Sequence, residues 1–230
     1  MIKPLSLTVL LLLSIVLLTA SARLMLASMW ATQANSFLLD WQEKAQQPTD
    51  SAWQVAFKAA NKSIALSPVA NADYYDTLGQ VWEWKQFEAS QTDPAAIETR
   101  EQALNAYRRS IELKPQWPYT VIKLAYVKLR LNQIDTEFNQ SLQNAFNRGP
   151  WRIDINKRIA EMSLMAWPQL TNDNKVMART AIKRTVNYGP SDAKWLESRA
   201  KTNNRHALFC LLLPHDMKEK RQICKEVQTG

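Results

Sequence analysis

The first feature of the chain is an uninterrupted apolar stretch that leads into a helical pattern of apolar positions. Residues 5–22 contain no charged side chain, and Lys3 and Arg23 flank them. Eighteen residues is close to the lower limit for a helix that crosses the hydrocarbon core of a bilayer. Large apolar residues then recur at helical spacing, at Leu26, Trp30, Phe37 and Trp41. The pattern predicts an N-terminal hydrophobic helix.

The same stretch also fits a secretory signal peptide, because Ala20-Ser21-Ala22 forms an A-x-A cleavage site. Cleavage after Ala22 would release a soluble chain, whereas a retained segment would anchor the chain by its N-terminus. A buried helix of the fold is the third interpretation. We favour the anchor, because the apolar stretch is long for the core of a signal peptide. In both export interpretations the remaining residues lie outside the cytoplasm.

Four prolines punctuate the rest of the chain, each after a helical pattern. Pro68, Pro115, Pro150 and Pro190 are separated by 47, 35 and 40 residues. Proline stops a helix because it lacks the N–H that continues the hydrogen-bond ladder. A recurrence at this spacing is typical of helix-pair repeats with insertions.

Alignment on these prolines places side chains of similar character in register. Small side chains occur five residues before each proline, and positions eight and twelve residues before it fall on the same helical face. The aligned positions are Ser63, Ser110, Ala145 and Thr185, then Ala60, Tyr107, Leu142 and Ile182, and then Ala56, Ala103, Phe138 and Ala178. This spacing resembles the second helix of a tetratricopeptide repeat, in which small residues let neighbouring helices approach closely.

The segments after the prolines supply the partner helices. Tyr75-x-x-Leu78-Gly79-x-x-Trp82 matches the first-helix pattern of that repeat, Val121-x-x-Leu124-Ala125 matches it in part, and the later segments match weakly. We therefore predict an all-α chain with three parts. Residues 1–22 are a signal anchor or signal peptide, residues 23–204 form a tetratricopeptide-like helical-repeat solenoid, and residues 205–230 form a C-terminal helical hairpin. Such repeats form a concave surface that holds an extended peptide or the surface of a partner.

Composition excludes several classes of function. The 230 residues include 46% hydrophobic and 22% charged residues, which is typical of a globular protein. Four glycines, two histidines and two cysteines leave little for phosphate loops, a disulfide framework or a four-cysteine zinc site. We find no hydrolase, P-loop, dinucleotide or metalloprotease motif, and pairs such as Asp73 with Asp76 are typical of a solvated helix face. We therefore predict a protein that is not an enzyme and that binds no cofactor.

The net charge of +8 lies entirely in the last ninety residues. Residues 1–140 carry 13 basic and 13 acidic side chains, whereas residues 141–230 carry 16 and 8. A basic surface there would suit an anionic partner, such as an acidic glycan, lipid headgroups or an acidic protein. The alternative is a solvated basic surface without a ligand. Nucleic acid is the weakest option, since no zinc-finger spacing or basic zipper accompanies the charge.

The two cysteines flank a turn near the C-terminus. Cys210 and Cys224 stand on either side of Leu213-Pro214-His215-Asp216, so two short helices folded across this turn would bring them together. In an oxidising compartment we expect a disulfide, and the alternative is two buried thiols. A metal site made from both cysteines with His206 and His215 has no spacing typical of zinc sites. We therefore predict no metal.

Nine tryptophans are unusually many for this length. Tryptophan faces can stack on sugar rings, and the alternative is packing in the core. Trp82 and Trp84 point roughly 200° apart on a helix, so we expect one of them to lie on an exposed or concave face. The candidate binding residues are Trp82, Trp84, Trp117 and Trp151.

Several of these segments together resemble a known family. They are Leu78-Gly79-Gln80-Val81-Trp82-Glu83-Trp84, Tyr107-Arg108-Arg109-Ser110, Lys114-Pro115-Gln116-Trp117-Pro118-Tyr119-Thr120, Glu137-Phe138 and Gly149-Pro150-Trp151. Over about residues 24–210 the chain is similar to the VpsP family of polysaccharide biosynthesis proteins. The resemblance implies a small tetratricopeptide-like protein with an N-terminal hydrophobic segment that works with bacterial exopolysaccharide machinery.

Pattern and resemblance together predict a non-catalytic scaffold or adaptor in the biosynthesis or export of an extracellular polysaccharide. The expected location is the bacterial inner membrane, with residues 5–22 as the anchor and the repeat domain in the periplasm. The alternative location is a soluble periplasmic chain cleaved at Ala22. The expected partner is a protein of the same machinery. The alternative function is direct binding of an anionic glycan by exposed tryptophans and basic residues.

Overall fold

The computed structural model describes residues 4–225, and every regular element in that range is helical. The prediction of an all-α chain is confirmed for these residues. The helices are α1 (Pro4–Lys44), α2 (Asp50–Leu66), α3 (Ala72–Lys85), α4 (Pro94–Leu113), α5 (Pro118–Arg130), α6 (Thr136–Arg148), α7 (Ile153–Ala166), α8 (Asn172–Tyr188), α9 (Pro190–Thr202), α10 (His206–Leu211) and α11 (His215–Arg221), with a 3-10 turn at Trp167–Gln169.

The chain forms two compact units, Met1–Lys114 and Pro115–Gly230. The boundary falls at the second of the four prolines, inside the segment that we predicted as one repeat domain. In the first unit α1 packs on α2, α2 on α3 and α3 on α4, and α1 also contacts α3. In the second unit each helix from α5 to α9 likewise packs on the next, and α7 also contacts α5 and α9. Packing between successive helices thus organises both units.

Helix α1 is continuous from the apolar stretch into the first unit. The apolar side chains from Val9 to Leu18 are exposed, and α1 is the one described helix that is long and apolar enough to cross a membrane or to serve as a signal sequence. From Ala27 onward one face is buried against α2 and α3. Its buried residues are Ala27, Ala31, Ala34, Leu38 and Trp41.

Arg23 joins the apolar part of α1 to the end of α2. Its guanidinium donates hydrogen bonds to the carbonyl oxygens of Ala65 and Leu66, at 3.3 and 3.2 Å. The last carbonyls of a helix have no partner within the helix, so a cation at this position satisfies them and complements the helix dipole. The bond fixes the C-terminal end of α2 beside the start of the packed part of α1.

The positions that align on the prolines all face the interior. The twelve residues lie on α2, α4, α6 and α8, and each of them is buried. Each of these helices also ends two residues before its proline, at Leu66, Leu113, Arg148 and Tyr188. The recurring spacing therefore marks the buried face and the end of four helices.

Helices α3 and α4 approach closely at one glycine. A methyl group on Gly79 would lie 2.5 Å from Cε1 of Tyr107, whose side chain is fully buried. The Tyr107 hydroxyl donates a hydrogen bond to the Glu83 carboxylate on α3. Burial raises the pKa of the Tyr107 phenol, and the nearby Glu83 and Asp76 carboxylates raise it further. The ring thus fills the space that glycine leaves and stays neutral.

A buried lysine closes the turn between α5 and α6. Lys128 is 2% exposed, and its ammonium lies 2.8 Å from Asp135 and 2.7 Å from Glu137. Partial burial raises the pKa of the Asp135 carboxyl. Hydrogen bonds from Lys128 and from the Phe138 N–H outweigh this effect, so the pKa is lowered overall. Asp135 is also the N-cap of α6, so one carboxylate both starts that helix and ties it to α5.

Candidate functional site

Trp82 and Trp84 both pack inside the first unit. Trp84 is buried, with its ring 6.2 Å from Trp41 and 4.2 Å from Phe87. Trp82 is half-buried, 5.2 Å from Trp53 and within 4.8 Å of a neighbouring phenylalanine ring. Trp84 thus lies in the core and Trp82 stays partly accessible, since α3 packs against α1, α2 and α4 and has neighbours on several sides.

Trp117 and Trp151 lie at the surface of the second unit. Trp117 precedes α5 and packs against Tyr119, with ring centroids 5.1 Å apart. Trp151 is 84% exposed, in the turn between α6 and α7. Of the four predicted residues these two are the most exposed.

An arginine on α8 holds one face of Trp151. The Arg184 guanidinium lies 4.8 Å from the Trp151 ring and 4.9 Å from the ring of Phe146, and it donates a 2.8 Å hydrogen bond to the Pro150 carbonyl oxygen. Tyr188, one helical turn further along α8, is 67% exposed. Trp151 and Arg184 thus pair an exposed aromatic ring with a cation, and Tyr188 lies on the same face of α8 as Arg184. We refer to Trp151, Arg184 and Tyr188 as the Trp151 platform.

A second surface feature is a groove lined by residues for which the sequence pattern predicts no binding role. It has a volume of about 470 Å³ and lies between α7 and α9. Its lining residues are Asp154, Lys157, Arg158, Glu161, Trp195 and Arg199. We refer to this feature as the α7–α9 groove.

The charges of the groove are fixed by ion pairs. Glu161 is 2% exposed and accepts a 2.5 Å hydrogen bond from Nε of Arg199, and its second oxygen lies 3.5 Å from Arg158. One buried carboxylate therefore contacts two guanidinium groups whose side chains are 43% (Arg199) and 55% (Arg158) exposed. Charge-assisted bonds of this kind are strong and geometrically specific.

Trp195 forms the aromatic wall of the groove. The Lys157 ammonium lies 4.5 Å from the centre of the Trp195 ring and 2.7 Å from Asp192. Asp154, on the outer edge, makes no ion pair with a described residue. The groove thus offers guanidinium donors, one unpaired carboxylate and an indole, which suits a polar extended chain with some apolar surface.

The sequence contained a signal for this groove. Asp154, Lys157, Arg158 and Glu161 follow the spacing i, i+3, i+4, i+7, which places them on one helix face, and Trp195 and Arg199 are four residues apart. The segment after Pro190 matches the repeat pattern weakly, so the pattern predicts no role for its tryptophan. Contact between the two faces depends on the packing of α9 on α7, which residue spacing alone does not reveal.

The cysteines form a disulfide that closes the C-terminal hairpin. The Sγ atoms of Cys210 and Cys224 are 2.02 Å apart, with Cα atoms at 5.7 Å. Nε2 of His206 lies 3.5 Å from Sγ of Cys210 and 3.0 Å from Glu197. The two sulfurs are bonded to each other, so neither is a thiolate that could bind a metal ion together with His206. Residues 226–230 of the predicted hairpin lie outside the described residues.

Glu197 ties this hairpin to α9. Its carboxylate accepts a 2.9 Å hydrogen bond from the Cys224 N–H as well as the contact from His206. Desolvation raises the pKa of Glu197, but these hydrogen bonds and Lys201 outweigh it, so the pKa is lowered. The carboxylate is therefore ionised near neutral pH. The hairpin also buries Phe209, Leu213 and Ile223.

Neither a scan against protein-family models nor a search of curated proteins found a match to this chain.

Proposed function

We propose that this chain is a membrane-anchored, non-catalytic adaptor in the biosynthesis or export of a bacterial extracellular polysaccharide. The resemblance to the VpsP family supplies the pathway. The adaptor role rests on one observation, the α7–α9 groove, in which ion pairs hold two arginines and an indole ready for a ligand. The groove receives an extended segment of a partner protein from the same machinery.

The repeat architecture is part of this proposal. Twelve aligned positions are buried, and four helices end two residues before a proline, as in tandem helix pairs. Contact of α7 with both α5 and α9 supports stacked first helices in the second unit. In a tetratricopeptide-like solenoid these helices line the surface that holds a partner segment.

The proposed location is the periplasmic face of the inner membrane, with residues 5–22 as the anchor. Two observations support it. Helix α1 runs without a break from the apolar stretch into the packed part of the first unit. The cysteines are paired, which is typical of an oxidising compartment.

Removal of the indole from the groove should abolish the adaptor function. In a strain lacking the chain, we expect Trp195→Ala to restore less than about a tenth of the extracellular polysaccharide that the unaltered chain restores, since loss of one central aromatic contact costs about 2 kcal/mol or more of binding. The measurement is the sugar-by-sugar content of the medium, with circular dichroism to check that the variant folds.

Trp151→Ala is the matched control, because it removes a tryptophan of the same unit that lies outside the groove. The adaptor proposal expects it to restore polysaccharide fully. Full restoration by Trp195→Ala would refute the groove as the site. Unchanged polysaccharide in the strain without the chain would refute the assigned pathway itself.

The Trp151 platform supports a second candidate function, direct binding of an anionic glycan. A tryptophan that is 84% exposed beside a guanidinium offers a stacking face and a cation for a carboxylated sugar. Purified polysaccharide should quench the tryptophan fluorescence of the chain. Trp151→Ala should weaken this binding about tenfold, which corresponds to about 1.4 kcal/mol. Absence of quenching at high polysaccharide concentration would exclude this candidate.

A further inference from the structure

The apolar surface of α1 does not end at Arg23. Met25, Leu26 and Met29 are 68%, 46% and 58% exposed, although they lie beside the packed part of the helix. Met25 and Met29 are each two residues from the fully buried Ala27, which places them on the opposite side of the helix. An outward apolar strip therefore continues the exposed stretch of residues 8–18 for several residues beyond the first basic side chain.

Arg23 itself points toward the protein. Its guanidinium donates to the carbonyl oxygens of Ala65 and Leu66 at the end of α2. A charge with hydrogen-bond partners loses less free energy on leaving water than an isolated one. Arg23 therefore does not set the membrane boundary on the outward face of α1, because the exposed side chains beyond it on that face are apolar.

Beyond Arg23, a half-buried tryptophan on α1 forms a pair with a lysine on α2. The Lys62 ammonium lies 3.9 Å from the ring of Trp30, which stands seven residues, or about 10 Å, beyond Arg23. Helical side chains lean toward the N-terminus, so this ring lies nearer the apolar stretch than its own backbone does. Tryptophan is enriched at membrane–water interfaces, and lysine reaches the headgroups with its long apolar stem.

Helix length agrees with this arrangement. Residues 5–22 extend about 27 Å as a helix, slightly less than the roughly 30 Å of the hydrocarbon core. If the apolar face is counted to Met29, its length along the helix axis is about 37 Å. On one side of a tilted helix, this length reaches into the headgroup layer.

We infer that the lipid surface covers the end of the first unit next to the span. Met25, Leu26 and Met29 contact lipid, Trp30 and Lys62 lie in the headgroup layer, and the C-terminal end of α2 rests against the membrane. This inference depends on the anchor in the proposed function and adds a lipid-binding surface to the folded unit.

Spin labels on full-length chain in lipid nanodiscs test the inference. Met25→Cys and Met29→Cys place the label on the outward strip, and Leu39→Cys is the matched control, since Leu39 is 66% exposed on the same helix. Ile15→Cys reports on the span. The native cysteines stay paired without reductant and take no label. The measurement is the collision rate of each label with oxygen and with a water-soluble nickel chelate.

We expect the labels at positions 25 and 29 to collide with the nickel chelate at least about threefold less often than the label at position 39. Equal rates at positions 29 and 39 would overturn the inference if the label at position 15 is protected. A label at position 15 that is open to the chelate would instead refute the anchor, so the two failures are distinguishable.

Brominated phospholipids in the same nanodiscs test the headgroup contact. Bromine near the headgroup end of the acyl chain should quench part of the tryptophan fluorescence, and Trp30→Phe should remove that part. Trp53→Phe is the control, because Trp53 is 6% exposed in the core of the first unit. An equal quenched fraction in both variants would contradict the placement of Trp30.

Discussion

Replacement of Tyr107 by alanine is expected to lower the free energy of unfolding of the first unit by about 3–5 kcal/mol. Its fully buried ring fills the space above Gly79, so its removal leaves a cavity. The substitution also leaves Glu83 without the hydroxyl that donates to it. Chemical denaturation followed by circular dichroism measures the change.

Two companion variants separate the contributions of the ring. Tyr107→Phe keeps the packing and removes the hydrogen bond, so it should cost about 1 kcal/mol. Gly79→Ala keeps Tyr107 but places a methyl group within 2.5 Å of its ring, so it should cost about 1–3 kcal/mol. An alanine at position 107 that costs no more than the phenylalanine would show that the close approach of α3 and α4 contributes little.

Replacement of both Cys210 and Cys224 by serine is expected to cost about 3 kcal/mol, the value for a closed loop of about 15 residues. Helices α10 and α11 have six and seven residues, too few to be stable alone. Without the disulfide, Phe209, Leu213 and Ile223 must hold the hairpin. Hydrogen exchange should show the amides of α10 and α11 losing protection before those of α7 and α8.

His206→Gln is the control for the disulfide variant. It removes the contact between His206 and Glu197 but leaves the Cys210–Cys224 bond and the Cys224 N–H bond to Glu197 intact. We expect a cost of about 1 kcal/mol or less, with protection of the hairpin retained. Equal protection in the double-serine variant and the unaltered chain would contradict the stabilising role of the disulfide.

Local spacing predicted much of the helical framework. Proline ends a helix through its own backbone chemistry, so the ends of α2, α4, α6 and α8 were readable without tertiary information. Residues four and seven positions apart share a helical face, which predicts the buried face of each helix. On α4 this face contains Ala103, Tyr107 and Ser110, and all three are buried. The turn at Pro214 likewise indicated which part of the chain reverses between the cysteines.

The candidate site was less readable because it depends on neighbouring helices. Trp82 and Trp84 point in different directions, yet both find neighbours, since α1 and α2 lie on the sides of α3 that spacing alone leaves open. Trp195 lies in a segment with a weak repeat pattern. Its place in the groove depends on Lys157 and Glu161, which lie on α7. The exposure of Trp151 depends on the conformation of the turn after α6. Arg184 on α8 stabilises this turn through its hydrogen bond to the Pro150 carbonyl oxygen.

The unbroken course of α1 limits how far the first unit can travel. A flexible linker would let a tethered domain sample a volume that grows with linker length, whereas a helix extends a fixed 1.5 Å per residue and does not fold back. Ala27, the first buried residue in the described part of α1, lies five residues beyond Ala22. The helical segment between the apolar stretch and the packed unit is therefore about 8 Å long. With α1 retained in a bilayer, the first unit would move with the lipid in two dimensions and would stay at a fixed distance from its surface.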